Sequence, residues 1–242
     1  MGQEASLLLP LEAPIRNTVF FPFLNILPHD KLHRKDPFTY YKSINMGVSN
    51  IIPVPIAMAL AGAQNPVTVL GLANISQSLN NLCWAACTRM VLNKYHVSSG
   101  VKECDLPNFL FNQQKCCDHP LSSDCDRGCN KNDIIKVYNN YKVNCKMSDL
   151  SGDLTSDQLA DISQIIRDEI SDQRPVEICY TIDTDGSHVV IIAGFKKDAT
   201  GLFLFLVFDP LNDIGCMTID QLETLDGKGV WTQKWTEFAT IP

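Results

Sequence analysis

Two residues near the start of the cysteine-containing part of the chain could take part in nucleophilic catalysis, one as the nucleophile and one as a hydrogen-bond donor. Cys83 opens a segment, residues 83–96, in which apolar residues recur with helical spacing. A helix N-terminus stabilises negative charge, so a thiol there favours the thiolate form, which is the nucleophile. Gln77, six residues upstream, carries an amide that can donate a hydrogen bond to the oxyanion of a tetrahedral intermediate. The alternative for Cys83 is the usual fate of a cysteine, a small apolar residue in a buried helix.

A histidine and an aspartate on two predicted strands complete a catalytic group. The short polar segment 196–201 joins these strands, and if they pair as a simple hairpin, His188 lies directly opposite Asp209. Directly opposed Cβ atoms are about 4.5–5.5 Å apart, which allows a hydrogen bond between imidazole and carboxylate. Such a carboxylate fixes the tautomer of the histidine and stabilises the imidazolium.

Two features leave the choice of this carboxylate open. A one-residue bulge in the hairpin would put Asp209 on the other face of the sheet. Asp183 and Asp185 are alternatives because they precede His188 closely in sequence, although a solvated turn is the more usual role for such a pair.

The elements that must position these residues predict an α+β fold. Asn80 and Asn81 are suited to capping the first helix, and Thr155 and Gln158 form the capping-box pattern of another. Runs rich in β-branched and aromatic residues follow later in the chain and indicate strands. The predicted helices begin at Cys83, Asn132 and Thr155, and the predicted strands span residues 175–182, 187–195 and 201–210. Helices followed by an antiparallel β unit are typical of the α+β class.

The composition limits the kinds of protein that the chain can be. Its 242 residues include 20 basic and 27 acidic side chains, for a net charge of −7, and 45% of them are hydrophobic. Such a chain can bury a core, so wholesale disorder is excluded. The acidic balance without a Lys/Arg block argues against nucleic acid as a partner. No apolar run reaches the roughly 18–20 residues that span a bilayer, so we predict no transmembrane segment.

Shifts in composition divide the chain into two parts. All ten cysteines lie at or after Cys83, whereas eight of the thirteen prolines lie at or before Pro66. We therefore predict an N-terminal extension, residues 1–75, and one domain, residues 76–242. A pro-segment or a strap packed on the domain is the favoured role of the extension. An atypical export leader that ends near residue 66 and an N-myristoylation site at Gly2 are the alternatives.

Three separated motifs resemble those of papain-like cysteine peptidases. Gln77-Ser-Leu-Asn-Asn-Leu-Cys83-Trp is similar to the nucleophile region of that family, Gly186-Ser-His188 to the start of its histidine strand, and Phe208-Asp209-Pro210 to its third motif. The likeness covers roughly residues 75–225 and is greatest for the compact bacterial branch, which uses Asp as the third member. The resemblance implies a helical half, with a central nucleophile helix, packed on an antiparallel β-sheet half.

The resemblance also implies a role for each matching residue. Cys83 would be the nucleophile, His188 the acid and base, Asp209 the residue that orients the histidine, and Gln77 the oxyanion donor. No cofactor or metal is implied. Residues 1–75 do not resemble the helical inhibitory pro-segment of the plant and lysosomal enzymes, so the resemblance gives the extension no role.

Six further cysteines cluster between Cys104 and Cys145. Disulfides that brace long loops are the favoured interpretation, although six cysteines allow fifteen pairings. Reduced thiols are one alternative. A structural zinc site is the other, although its spacing matches no standard tetrahedral pattern; its ligands would be Cys116 or Cys117, His119, Cys125 and Cys129.

The favoured function is a cysteine peptidase with a protein or peptide substrate. An acyltransferase that uses the same triad and a catalytically inactive papain-like binding module are the alternatives, and substituting Cys83 would separate the enzymes from the binding module. We expect a monomer. The density of cysteines favours an exported protein, although the chain has no standard signal peptide.

Overall fold

Five helices and seven strands occur in the part of the chain that the computed structural model describes, which comprises residues 67–97, 100–150, 154–182 and 186–242. The helices are α1 (Cys83–Lys94), α2 (Asp105–Leu110), α3 (Lys131–Asn140), α4 (Ser156–Ser171) and α5 (Ile219–Glu223). The strands are β1 (Val67–Val69), β2 (Val143–Asp149), β3 (Val176–Ile182), β4 (Gly186–Lys197), β5 (Phe203–Asp209), β6 (Asp213–Met217) and β7 (Val230–Thr240). The features predicted for residues 1–66, the export leader and the myristoylation site, lie outside the described residues.

The strands form one antiparallel sheet with the spatial order β2, β7, β3, β4, β5 and β6. β7 is the last strand in sequence but lies between β2 and β3, so distant parts of the chain meet in the sheet. β1 pairs with the last residues of β4, beyond the residues that pair with β3. Gly194 is required at this contact, because a Cβ atom there would lie 2.6 Å from the carbonyl oxygen of Thr68.

A β-bulge interrupts the pairing of β4 with β5. Gly194 pairs with Leu206, but Ile192 pairs with Val207, so Ala193 is the extra residue. Because side chains alternate between the two faces of a strand, one extra residue changes which residues of β4 and β5 share a face. The bulge therefore decides which side chains meet at the carboxyl end of β5.

The sheet is covered by helices, of which α1 is the most deeply buried. Nine of its twelve residues are buried, and the Cys87 thiol donates a hydrogen bond of 3.3 Å to the carbonyl oxygen of Val189 on β4. α3 buries Ile134, Val137 and Tyr138 against the same core. In the part of the chain that the structure describes, every helix is too short or too polar to cross a bilayer.

The predicted α+β class is confirmed, and the elements with strong local signals lie where the sequence indicates. α1, α3 and α4 correspond to the three predicted helices, and β3, β4 and β5 to the three predicted strands. The capping box at the start of α4 is present as predicted, with Thr155 and Gln158 each accepting from the backbone N–H of the other.

Other features differ from the prediction. The predicted caps of α1 are wrong, because the residue at the N-cap is Leu82, which offers no side-chain cap, while the Asn81 amide donates instead to the carbonyl oxygen of Asp126. The shorter elements α2, α5 and β6 and the strands β1, β2 and β7 were not predicted. β1 lies before residue 76, so the described sheet begins within the segment assigned to the extension.

Candidate active site

Cys83 is the first residue of α1 and is buried, with 6% of its surface exposed. The first N–H groups of a helix have no intrahelical acceptor, and Leu82 supplies no side chain to satisfy them. The thiol therefore lies at a helix end whose N–H groups and dipole favour a nearby negative charge. This position agrees with the one predicted from the helical spacing after Cys83.

His188 on β4 lies between the Cys83 thiol and a carboxylate. Its Nε2 atom is 2.7 Å from Oδ1 of Asp209, and the thiol of Cys83 forms a second hydrogen bond with the imidazole. Because Nε2 is engaged by Asp209, Nδ1 is the nitrogen left for the thiol. The structure therefore brings together three of the four residues that the sequence singled out.

Burial and hydrogen bonding have opposite effects on this pair. Burial alone would lower the pKa of His188, but the hydrogen bonds to Asp209 and Cys83 outweigh it and raise the pKa to about 9. Burial alone would raise the pKa of Asp209, but the hydrogen bonds from His188 and Asn212 lower it to about 2. Both shifts favour an imidazolium beside a carboxylate at neutral pH.

The contact between His188 and Asp209 does not arise from the register that the sequence predicted. The two residues are not directly opposed, because continuing the pairing of Ile191 with Phe208 places Asp209 opposite Val190. His188 is two residues from Val190 and so lies on the same face, at the diagonal position. The register next to the connecting turn would have put Asp209 on the opposite face, and the bulge at Ala193 reverses this.

Asp209 accepts hydrogen bonds from the turn that follows it as well as from the histidine. The backbone N–H groups of Leu211 and Asn212 donate to Oδ1 at 2.8 and 3.2 Å, and the side-chain amide of Asn212 donates to Oδ2 at 2.9 Å. These donors fix the carboxylate in place. The role of Asn212 was not predicted, because nothing in its residue type distinguishes it from an ordinary turn asparagine.

Gln77 lies in the segment that leads into α1 and is held by its own surroundings. Its backbone N–H donates to the carbonyl oxygen of Pro210 at 3.0 Å, next to Asp209. Its Nε2 atom donates to the carbonyl oxygens of Leu79 and Asn80 at 2.7 and 2.9 Å. Both amide donors are thus occupied in this structure. The alternatives Asp183 and Asp185 lie outside the described residues.

A cavity of about 490 Å³ opens beside Cys83. Its lining includes Trp235 from β7, Val189 from β4 and two thiols, Cys129 and Cys179. Burial raises the pKa of Cys179 to about 12 and raises the pKa of Cys129 as well, so both thiols are protonated at neutral pH. Their position beside Cys83 was not predictable, because the two cysteines belong to a loop and a strand that are distant from Cys83 in sequence.

The cysteine-rich segment contains two disulfides, which confirms the favoured interpretation. They join Cys104 to Cys117 and Cys116 to Cys125. The alternative zinc site is therefore wrong, because three of its four candidate sulfur ligands are used in these bonds. Cys104, Asp105 and Cys117 have ligand atoms close together, but two of the three form a disulfide.

Several solved structures are similar to this one at low sequence identity. A double glycine motif protease from an AMS/PCAT transporter, determined in complex with the leader peptide, is 18% identical with a TM-score of 0.46, over 73% of this chain and 98% of that chain. The peptidase domain of Streptococcus ComA is 14% identical with a TM-score of 0.45, over 69% of this chain and 96% of that one. The bromelain protease of Ananas comosus is 10% identical with a TM-score of 0.37, over 71% of this chain and 94% of that one.

Comparison with curated protein sequences gives no match. A family model, described as the Peptidase_C39 like family, matches residues 69–238, which is more than half of the chain and includes α1, β4 and β5. This family is one of cysteine peptidases, as the three motifs implied. The chain therefore belongs to the Peptidase_C39 like family.

Proposed function

We propose that the protein hydrolyses peptide bonds with Cys83 as the nucleophile, His188 as the acid and base, and Asp209 as the residue that orients the histidine. The observation that carries this proposal is the position of His188, buried between the Cys83 thiol and the Asp209 carboxylate. A histidine that only stabilised the fold would need a single hydrogen-bond partner. His188 is buried and bonds to both a thiol and an ionised carboxylate, which is typical of a catalytic histidine.

The reaction follows from this arrangement. The Cys83 sulfur attacks the carbonyl carbon of the scissile bond and forms a tetrahedral intermediate whose oxygen carries the negative charge. His188, as the imidazolium, gives its Nδ1 proton to the leaving amine, and the C–N bond breaks to leave a thioester. A water molecule, deprotonated by the now neutral imidazole, then attacks the thioester and releases the carboxylic acid, and the thiolate–imidazolium pair is restored.

The oxyanion needs donors that point at it, and two are proposed. One is the backbone N–H of Cys83, which stands at the open end of α1. The other is the side-chain amide of Gln77, which has to exchange one of its bonds, to the carbonyl oxygen of Leu79 or of Asn80, for the oxyanion. Its Oε1 atom is buried and has no hydrogen-bond partner, so no acceptor bond opposes a rotation of the amide.

Alkylation of the cysteines with iodoacetamide near neutral pH tests this proposal directly. Without reductant, and with peptide mass mapping, we expect Cys83 to react faster than Cys129 and Cys179, which lie in the same cavity with raised pKa values. His188→Ala should abolish the preference, and the exposed His119→Ala should not. A Cys83 that reacts no faster than its two neighbours would contradict the proposal.

Turnover distinguishes hydrolysis from the alternatives. Release of new N-termini from an unfolded protein substrate, lost in Cys83→Ala, is expected of a peptidase. An acyltransferase would need an added acceptor to turn over, and a binding module would retain its ligand after the same substitution.

We further propose that the part of the extension that precedes Val67 acts as a pro-segment, because β1 belongs to the sheet and Leu70 and Leu72 to the core, and that the protein is exported. The two disulfides support export, because such bonds persist in oxidising compartments. Cleavage of the chain before Val67, which leaves β1 in place, should raise the rate of Cys83 alkylation. Equal rates before and after cleavage would contradict the pro-segment.

A further inference from the structure

The segment that leads into α1, residues 77–82, is held from outside by three hydrogen bonds to its backbone. We call it the nucleophile loop, because Cys83 follows it directly. The N–H of Gln77 donates to Pro210 next to Asp209, the N–H of Ser78 donates to Oε1 of Glu103 at 3.1 Å, and the N–H of Asn81 donates to Oδ1 of Asp126 at 2.8 Å. Two of the three acceptors are carboxylates that the proposed reaction does not use.

Asn81, in the nucleophile loop, and Trp84, which follows Cys83, form further hydrogen bonds with residues 126 and 127 of the cysteine-rich segment. The side-chain amide of Asn81 donates to the backbone carbonyl of Asp126 at 3.2 Å. The indole Nε1 of Trp84, a residue that is 1% exposed, donates to the carbonyl oxygen of Arg127 at 2.9 Å. Residues on both sides of Cys83 are therefore fixed to one short stretch of the cysteine-rich segment.

The two carboxylates are connected to each other by covalent bonds. Glu103 directly precedes Cys104, which is bonded to Cys117, and Asp126 directly follows Cys125, which is bonded to Cys116. Cys116 and Cys117 are neighbours in sequence. The two disulfides thus connect Glu103 to Asp126 by a covalent path that is shorter than the main chain between these two residues.

The burial of the first carboxylate fits a positioning role. Glu103 is 8% exposed, and besides the N–H of Ser78 it interacts with the Ser78 side chain and with the positive charge of Arg89 on α1. A buried carboxylate that accepts from a backbone N–H is costly to move, because its bond would have to be replaced.

We propose that Glu103 and Asp126 are positioning residues that hold the nucleophile loop, and that the two disulfides keep them in register with each other. Their function is to place the Cys83 N–H and the Gln77 amide where the oxyanion forms. Donors of this kind must be held within about 0.5 Å, so a small displacement of the loop is enough to lower the rate of acylation. The inference rests on the proposed function of Cys83.

Two small probes separate the positions of the donors from the reactivity of the thiol. Iodoacetamide alkylates Cys83 without forming an oxyanion, so its rate reports the pairing of Cys83 with His188. p-Nitrophenyl acetate acylates Cys83 through a tetrahedral intermediate, so its burst, corrected with Cys83→Ala, reports the oxyanion donors as well. Neither probe depends on knowledge of the natural substrate.

We expect Asp126→Ala and Glu103→Ala to slow the acylation burst by about 10- to 100-fold, the range expected for a misplaced oxyanion donor. Alkylation of Cys83 should stay within about twofold of the unmodified protein, which also shows that the variants are folded. Asp126→Asn and Glu103→Gln keep an oxygen acceptor and should restore most of the burst. Asp124→Ala is the matched control, because Asp124 is an exposed residue of the same segment whose carboxylate pairs with Lys115.

The role of the disulfides is tested by the double variant Cys116→Ser, Cys125→Ser. It should slow acylation as much as Asp126→Ala does. Adding Asp126→Ala to the double variant should cause little further loss, because both changes remove the same constraint on the nucleophile loop. Additive losses would overturn the connection between the two carboxylates.

Two results would overturn the positioning role itself: an unchanged burst in both alanine variants, or equal losses of alkylation and acylation. Failure of the proposed function looks different. In that case the unmodified protein would show neither a burst dependent on Cys83 nor alkylation dependent on His188.

Discussion

Among the buried carboxyl groups of the described residues, two belong to strands, Asp209 at the end of one strand and Glu177 near the start of another, and they differ in charge. Asp209 ends β5 and is 6% exposed, whereas Glu177 lies within β3 and is 0% exposed. Asp209 accepts four hydrogen bonds, and its pKa is lowered to about 2. Glu177 accepts one, from the hydroxyl of Tyr138, while its Oε1 atom has no partner, and burial raises its pKa to about 8.

The difference shows that the number of hydrogen-bond donors that reach a buried carboxyl group determines whether it stays charged. Where β5 ends, the backbone N–H groups of Leu211 and Asn212 have left the sheet and donate to the carboxylate. At Glu177, β3 pairs with β4 on one side and with β7 on the other, so the neighbouring backbone N–H groups are engaged in the sheet. Burial raises the pKa of both carboxyl groups, and in Asp209 the hydrogen bonds from His188 and from the turn outweigh this effect.

Substituting Asp209, the ionised carboxyl group, should reduce activity more than substituting Glu177 or Asn212. Asp209→Ala leaves the buried imidazole without its carboxylate, so we expect turnover to fall by about 10²-fold or more, within the range of general acid–base catalysis. The pKa of His188 should fall from about 9 towards its ordinary value, because the hydrogen bond that outweighs burial is gone. The alkaline limit of activity, which marks the loss of the imidazolium, should move to lower pH.

A pH profile of Cys83 alkylation and of peptide turnover measures both effects. Asp209→Asn keeps the shape of the side chain and is the matched control for the charge. An alkaline limit that stays in place in Asp209→Ala would contradict the role of the carboxylate.

Removing the charge from the other carboxyl should act on stability instead of on catalysis. The pKa of Glu177 is higher in the folded state than the usual value of a glutamate, so the fold loses stability as pH rises from about 4.5 to about 8. Glu177→Gln mimics the neutral form and removes this loss. The gain in unfolding free energy should be roughly 4 kcal/mol larger at about pH 8.5 than at about pH 5.

Urea unfolding of both proteins at the two pH values tests this expectation. The measurement compares differences, so titration of the other groups cancels. A gain of equal size at both pH values would show that Glu177 is ionised in the folded protein.

Removing one donor from Asp209 should give the smallest effect. Asn212→Ala deletes the bond from its side-chain amide to Oδ2 and leaves the backbone donors in place. The pKa of Asp209 should rise from about 2, so the stability that this group supplies, which is lost as pH falls from about 4 towards 2, should be lost at a higher pH. We expect turnover to fall less than about tenfold, because Asn212 is exposed and because His188 and two backbone N–H groups still bond to Oδ1.

The acid-induced unfolding midpoint, followed by circular dichroism, tests this change. A midpoint that moves to lower pH would show that the Asn212 amide does not stabilise the ionised Asp209. A loss of turnover as large as that of Asp209→Ala would contradict the small effect expected of this one donor.

Local patterns in the sequence were sufficient to locate the residues of the candidate site. The helical spacing after Cys83, the capping box at Thr155 and the apolar runs of β3, β4 and β5 are properties of contiguous segments. Each of these segments forms the predicted element. The α+β class follows from the order of such elements and is confirmed for the same reason.

Features that depend on pairing between distant segments were not predictable. The bulge at Ala193 depends on how β4 meets both β1 and β5, so the register of His188 with Asp209 was wrong although the contact exists. β7 was missed because charged and polar residues interrupt its apolar pattern and because its partners, β2 and β3, lie far away in sequence. Nothing in the residue type of Glu177 or Glu103 indicates that it is buried.

The pairing of β1 with β4 determines how the protein behaves when its N-terminus is shortened. β1 covers one edge of β4 at Gly194–Lys196, and Leu70 and Leu72, which follow it, are buried in the core. A chain that began at residue 76 would present this edge to solvent, and unpaired strand edges recruit strands from other molecules. Solubility at high concentration therefore depends on three residues that take no part in the proposed chemistry.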